Sequence, residues 1–258
     1  LLVVGLCLVV ALGLVIGVNF ANDYSDGVRG TDDHRVGPQR LVGSGAAAPG
    51  RVRAAAFCCF GVSGLAGLAA VAVTGHWWLL AVGVACVLAA WFYTGGRHPY
   101  GYLGLGEVFV FIFFGLVATA GTDYLLCGHV SAAGWAAAVA MGLTADGVLV
   151  TNNLRDIASD TAAGKRTLET RLGDRASRLL YAGLVVAVAV CCVLVAALST
   201  WWALLGLLGA ALLVPAARTI LGGAVGLRLV STLRSTSMGE LVLSLGLLAG
   251  VAVARLTA

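Results

Sequence analysis

Eight apolar runs, each near the length a helix needs to cross a bilayer, dominate this chain: residues 1–18, 53–74, 77–94, 105–121, 132–151, 176–198, 201–221 and 238–255. About 20 apolar residues in helical form span the hydrocarbon core. The runs are continuously apolar, which excludes a β-barrel, whose strands alternate lipid-facing and lumen-facing residues. With 60% hydrophobic and only 11% charged residues, and a mean hydropathy of +0.99, the chain predicts an all-α, polytopic transmembrane bundle. No Pro- or Ser-rich linker divides residues 1–258, so a single domain is expected. The first run starts mid-span at Leu1 with no basic leader before it. That pattern predicts a missing N-terminal segment rather than a signal peptide.

The basic residues are placed with a bias. All of the sixteen Lys and Arg residues except Arg255 fall in 29–53, at Arg97, in 155–178 or in 218–234, between alternate spans. Excess positive charge marks cytoplasmic loops, so these four segments are assigned to the cytoplasm. The short connections 74–77, 121–132 and 199–201 are assigned outside. No aromatic interleaving accompanies the basic residues, so nucleic acid is not an expected partner, and no protein partner is inferred.

Other residue types have simpler readings. Seven cysteines without Cys-x-x-Cys spacing lie within or at the ends of the runs, predicting free thiols rather than disulfides or zinc. Gly61, Gly64, Gly67, Gly206 and Gly209 suit close helix approach. Trp77, Trp78, Trp201 and Trp202 suit an aromatic belt at the outer interface.

Two polar stretches stand apart, one holding Asn19, Asn22, Asp23 and Asp26, the other Asn152, Asn153, Arg155, Asp156 and Asp160. At about 100° per residue, each set of carboxylates and carboxamides falls within an arc of about 100° on its helix. Polar groups at the mouth of a span are costly and imply a ligand. Two acidic faces on one side of the membrane repel unless something positive joins them, and a divalent metal is the natural candidate. Mg²⁺ binds through one or two carboxylates plus substrate phosphates. Arg29, Arg35, Arg40, Arg155, Lys165, Arg166 and Arg171 in the adjoining loops suit phosphate oxygens. Together they predict a metal-assisted site for a lipid-tailed diphosphate, with the apolar spans shielding a reactive allylic cation from water. Asp146 shares a face with Asn153 two turns deeper, and an acceptor-binding role is expected of it.

The motifs Asn22-Asp23-Tyr24-Ser25-Asp26 and Asp156-Ile157-Ala158-Ser159-Asp160 resemble the paired aspartate motifs of the UbiA superfamily of intramembrane prenyltransferases. The stretches 19–32, Gly37 to Arg40, Pro99 to Glu107, Asn152 to Asp156, Gly164 to Leu168 and Arg171 to Gly173 resemble most the branch that prenylates 1,4-dihydroxy-2-naphthoate in menaquinone synthesis. The resemblance implies nine transmembrane helices, eight of them here, with Mg²⁺, two ions, bridging the Asp motifs to a polyprenyl diphosphate. It implies loss of CO₂ and diphosphate to give demethylmenaquinone, in a bacterial inner membrane with the site facing the cytoplasm.

Carried onto this chain, Asp23, Asp26, Asp156 and Asp160 would be catalytic, metal-binding residues. Asn19, Asn22, Arg35, Arg40, Asn153, Arg155 and Lys165 would hold the diphosphate. Tyr93, Arg97, His98, Tyr100, Glu107 and Asp146 are candidates for the acceptor side. The chain departs from the family pattern at Gly30, where many members carry a third Asp, leaving Asp32 as the substitute. It departs again at Arg97 and His98, where a basic residue precedes the Pro99 segment. Competing readings are a relative with another acceptor (4-hydroxybenzoate, haem, a chlorin or a phosphoribosyl donor) and, from a different class, a secondary transporter. The Ala, Gly, Val and Arg bias points to a GC-rich bacterial genome.

Overall fold

The computed structural model of the chain describes residues 1–31 and 39–257. Among these residues the regular structure is helical: α1 (Leu2–Arg29), α2 (Pro49–Thr74), α3 (Leu79–Phe92), α4 (Gly106–Cys127), α5 (Ala132–Ala162), α6 (Leu168–Leu172), α7 (Asp174–Leu198), α8 (Trp201–Leu221) and α9 (Leu227–Thr257). Seven of them are long and apolar enough to cross a membrane. The exception among the eight expected spans is 77–94, which is realised as the 14-residue α3. At about 1.5 Å per residue, α3 is roughly 21 Å long, short of a full crossing. Gly75 ends α2 in a left-handed turn, φ +77°, and Gly95 and Gly96 follow α3, so residues at both ends go to turns.

Several helices outrun their apolar segments, and this is what carries the polar motifs. Helix α1 continues unbroken from its apolar run through Asp26 to Arg29 and stops where Gly30 adopts φ +73°. An L residue pays a steric penalty in that region, so glycine at position 30 serves as the helix stop. Helix α5 likewise extends eleven residues past its apolar run, from 152 to 162, to include the second motif. Within α4, Phe111–Ala120 winds as a wider π-type stretch.

The chain forms two compact units. One comprises Leu1–Gly106, Thr122–His129 and Ser159–Thr167. Its core is Ala21, Ala56 and Phe60, with Leu14, Val87 and Trp91 packed around them. Helices α1 and α2 approach closely there: a Cβ on Gly17 would stand 2.5 Å from Phe60 Cε1, and Ser63 donates to the Val10 carbonyl at 3.2 Å. The other unit comprises Glu107–Gly121, Val130–Ala158 and Leu168–Ala258. It is built on Val150, Leu154, Tyr181, Ile220 and Leu229, and on Val188, Cys192, Leu213 and Leu243.

Small residues do set helix contacts, but only some of the expected ones. Gly206 and Gly209 lie against Leu247 and Leu243 of α9, whereas Gly61 and Gly64 face open space and Gly67 meets only Val10 at 3.7 Å. The packed face of α2 runs instead through Ala56, Phe60, Ser63, Ala66 and Ala70. Gly61 and Gly64 lie around the helix from that line, so their spacing expressed no contact. All seven cysteines are free thiols. Trp77, Trp78, Trp201 and Trp202 are each more than half exposed, as an interfacial belt requires.

Candidate active site

The first motif is assembled entirely within the unit that contains α1. Asp23 is buried, and its two carboxylate oxygens each accept a backbone N–H at 2.9 Å, one from Leu41 and one from Val42. The segment after the motif is thereby folded back onto α1, with Gly27 so close to Val42 that a Cβ would clash. One turn on, buried Asp26 accepts a hydrogen bond from the Tyr102 hydroxyl at 2.7 Å. Asn22 accepts from Thr94 Oγ1 at 2.8 Å. Arg29 donates to the carbonyls of Thr94 and Gly96.

Tyr102 is the hub of this arrangement. Arg29 Cζ lies 5.4 Å and Lys165 Nζ 5.3 Å from its ring centroid, within cation–π range. Lys165 Nζ is also 3.7 Å from Asp160 Oδ1, and the Arg166 N–H donates to the Tyr102 carbonyl. Asp26 of the first motif thus meets Tyr102 directly, and Asp160 of the second is linked to it through Lys165. Burial pushes the Tyr102 phenol up, and so does the Asp26 carboxylate, so the hydroxyl stays a donor. Sequence reading missed Tyr102 because its neighbours Tyr93 and Tyr100 were equally eligible. Only tertiary contact separates the three.

Tyr100 donates its hydroxyl to the Ala89 carbonyl at 2.7 Å and packs edge-on against Tyr93 at 5.5 Å. Asn19 is exposed and donates to the Val15 carbonyl of its own helix. Arg97 and His98 are exposed, and Arg40 is half-buried. Asp32 and Arg35 lie outside the described residues.

The remaining candidates belong to the other unit. Arg155 reaches both oxygens of Asp156 (2.6 and 2.5 Å) and Asn152 Oδ1 at 2.8 Å, with its side chain almost fully buried. Asn153 donates to Glu107 Oε1 at 3.0 Å, so its amide is engaged with a carboxylate. Asp146 is buried on the same helix. Sequence reading also missed Glu169 of α6, which is 0% exposed. Burial foremost, and then the Glu107 carboxyl beside it, push the Glu169 carboxyl well above its ordinary value.

Among the described residues, no three His, Cys, Asp or Glu side chains already stand in metal-ligating geometry. The donor set itself fits a hard divalent cation, because the motifs supply carboxylate and carboxamide oxygen. The Asp23 oxygens each accept one hydrogen bond from the described backbone, and a carboxylate oxygen that does so retains a second lone pair.

Residues 1–224 match the model of the UbiA prenyltransferase family. The chain belongs to the UbiA prenyltransferase family. It is 49% identical over 252 residues to the 1,4-dihydroxy-2-naphthoate octaprenyltransferase of Mycobacterium tuberculosis, covering 98% of this chain and 86% of that protein. Its identity to the Escherichia coli protein of the same name is 38% over 258 residues, covering 97% and 84%. A more distant relative, the UbiA prenyltransferase domain-containing protein 1 of Gallus gallus, is 31% identical over 164 residues, 63% of this chain and 49% of that protein. The family match includes both aspartate motifs and the Pro99 to Glu107 segment. As a UbiA protein, the chain is a multi-pass membrane protein whose helices match the expected all-α architecture.

Proposed function

We propose that this chain transfers a polyprenyl group from polyprenyl diphosphate to 1,4-dihydroxy-2-naphthoate, releasing CO₂ and diphosphate and giving the prenylated naphthohydroquinone, the two-electron-reduced form of demethylmenaquinone. The observation that carries the reading is the convergence of Asp26, Asp160, Arg29 and Lys165 about Tyr102. Acids and cations held together at the ends of apolar helices suit a metal-bound diphosphate with a lipid tail. The shared name of the relatives at 49% and 38% identity supports the naphthoate as acceptor.

In this reading Asp23, Asp26, Asp156 and Asp160 hold Mg²⁺, which when bound neutralises the diphosphate oxygens. Lys165, Arg40 and Arg155 contact the diphosphate, with Arg35 and the Asn19, Asn22 and Asn153 amides completing its surroundings. Arg155 would exchange its Asp156 partner for phosphate oxygen. As the allylic C–O bond breaks, its electron pair leaves with diphosphate, and these cations stabilise that charge. The ring carbon bearing the carboxylate then bonds to the allylic carbon. Loss of CO₂ returns the electron pair of the broken C–C bond to the ring. Tyr93, Arg97, His98, Tyr100, Glu107 and Asp146 are proposed for the acceptor side, in a bacterial cell membrane with the basic loops in the cytoplasm.

The test is reconstitution of the full-length protein in lipid with 1,4-dihydroxy-2-naphthoate, a long-chain prenyl diphosphate and Mg²⁺. A prenylated naphthohydroquinone of the expected mass, or its quinone after air oxidation during work-up, formed with stoichiometric diphosphate, is the predicted result. Release of neither product sinks the reading.

A further inference from the structure

At the basic-loop end of α1, α2 and α3, three aromatic rings and one guanidinium stand together, on the side of α1 turned away from its acids. Tyr24 lies about 100° round α1 from Asp23. It stacks on Trp91 of α3, with ring centroids 6.2 Å apart and planes 20° off parallel. Phe57 of α2 packs on the Trp91 ring at 4.7 Å. Arg53, one turn before Phe57, sets its Cζ 5.6 Å from the Tyr24 centroid, within cation–π range. Arg53 is exposed and forms no ion pair among the described residues. Among the same residues the Tyr24 hydroxyl and the Trp91 indole N–H meet no acceptor, and both side chains are half-buried rather than sealed. The group therefore offers hydrogen-bond donors and one positive charge.

The surrounding charge has one sign. Residues 34–106 hold five arginines and no Asp or Glu. The acids at this end of the same unit are buried on partners of their own: Asp23 on the Leu41 and Val42 N–H groups, Asp26 on Tyr102 and Asp160 on Lys165. A choline or ethanolamine ammonium would find no carboxylate here, whereas a phosphate with net negative charge meets a cation and two further donors.

Depth matches a lipid as well. Arg53 opens the apolar run of α2 and Trp91 stands near the end of that of α3, the level where hydrocarbon gives way to headgroups. Below Arg53 the outer line of α2 is Phe57, Gly61, Gly64 and Leu68, all within an arc of about 80°. Phe57 is 50% and Leu68 44% exposed, and nothing lies within 4 Å of a Cβ built at Gly61 or Gly64. That strip leaves room for an acyl chain to lie against the helix.

We propose that Arg53, Tyr24 and Trp91 bind the phosphate and ester oxygens of one anionic phospholipid, whose acyl chain runs down α2 over Phe57, Gly61 and Gly64. The site is independent of the transferase reading. Its occupant braces the start of α2 against α1, and Asp23 already holds Leu41 and Val42 there, so both ends of the segment 41–53 are fixed to the helix that carries the first aspartate motif.

The test is native mass spectrometry of the full-length protein in detergent, titrated with dioleoylphosphatidylglycerol or dioleoylphosphatidylcholine. The first phosphatidylglycerol is expected to bind at least about fivefold more tightly than phosphatidylcholine, the scale of one interfacial arginine. Arg53→Ala should remove the preference and Arg53→Lys should keep it. Arg51→Ala, about 160° round α2 from Arg53, should leave it intact. Combined Tyr24→Phe and Trp91→Phe keeps aromatic rings, removes both donors and should weaken both lipids. A wild type without preference, an Arg53→Ala variant that retains it, or a double variant that binds both lipids as well as wild type overturns the site. Equal loss in Arg51→Ala means diffuse surface charge and also overturns it. Displacement of bound phosphatidylglycerol by geranylgeranyl diphosphate gives the cradle to a prenyl substrate instead and removes the phospholipid.

Discussion

The Tyr102 hydroxyl donates to Asp26 at 2.7 Å while the Tyr102 ring lies 5.3 Å from Lys165 Nζ, so one side chain contacts an acid of the first motif and a cation of the loop that follows the second. The two functions are separable by substitution. Tyr102→Phe removes the hydrogen bond to a charged group and keeps the ring, and kcat is expected to fall about 10- to 100-fold. Tyr102→Leu also releases Lys165 and Arg29, so its KM for prenyl diphosphate should rise as well. Steady-state kinetics on both variants checks the split.

Asp23 and Asp26 are one turn apart but differ in what they hold. Asp23→Asn places an NH₂ against one of the two backbone N–H groups it now accepts, loosening the segment that begins at Arg40. Trypsin should cut after Arg40 about tenfold faster in this variant. Asp26→Asn, which touches no loop amide in the described residues, should leave the cleavage rate unchanged while lowering turnover.

Metal removal should separate chemistry from folding. EDTA is expected to abolish diphosphate release and leave the helical circular dichroism unaltered, since the described helices are held by apolar cores. Added Mg²⁺ should restore turnover. Asp26→Ala and Asp156→Ala should each lower kcat about a thousandfold in saturating Mg²⁺.

Glu169 makes stability depend on pH with a definite sign. Its folded carboxyl titrates above its ordinary value of 4.5, because burial and Glu107 disfavour the charge. Above about pH 4.5 the unfolded chain releases a proton that the folded chain keeps, so stability falls as pH rises toward the raised value. Glu169→Gln removes the linkage, and its melting temperature should decline less than that of wild type between about pH 5 and pH 8. Thermal melts in one detergent at both pH values compare them.

Glycine positions should divide by contact rather than by spacing. A Cβ on Gly115 would stand 2.4 Å from Gly142 Cα, so Gly115→Val is expected to destabilise by about 1–3 kcal/mol. Gly64 has open space around it, and Gly64→Ala should be neutral or stabilising by up to about 1 kcal/mol through helix propensity. Denaturant titration of the two variants reads the contrast.

Much of the fold was legible because the bilayer demands length and continuity of apolar residues. The runs at 53–74, 176–198 and 201–221 became α2, α7 and α8 with nearly the same bounds. The run at 77–94 gave a shorter helix, since its end residues turn at glycines rather than extend. At the site, helical periodicity placed Asp23 and Asp26 on one face and Asp156 with Asp160 on another. It said nothing about Tyr102 or Glu169, whose importance lies in partners 76 and 62 residues away in sequence, at Asp26 and Glu107.

The sequence by itself determined the membrane class, the polar motifs at the helix ends and the family to which they belong, because each is a property of local composition and period. Tertiary structure alone decided which tyrosine holds Asp26, that Asp23 anchors Leu41 and Val42, and that Asn153 serves Glu107. Hydrogen bonds and buried charges depend on distances of a few ångströms between remote residues, and no local pattern along the chain encodes them.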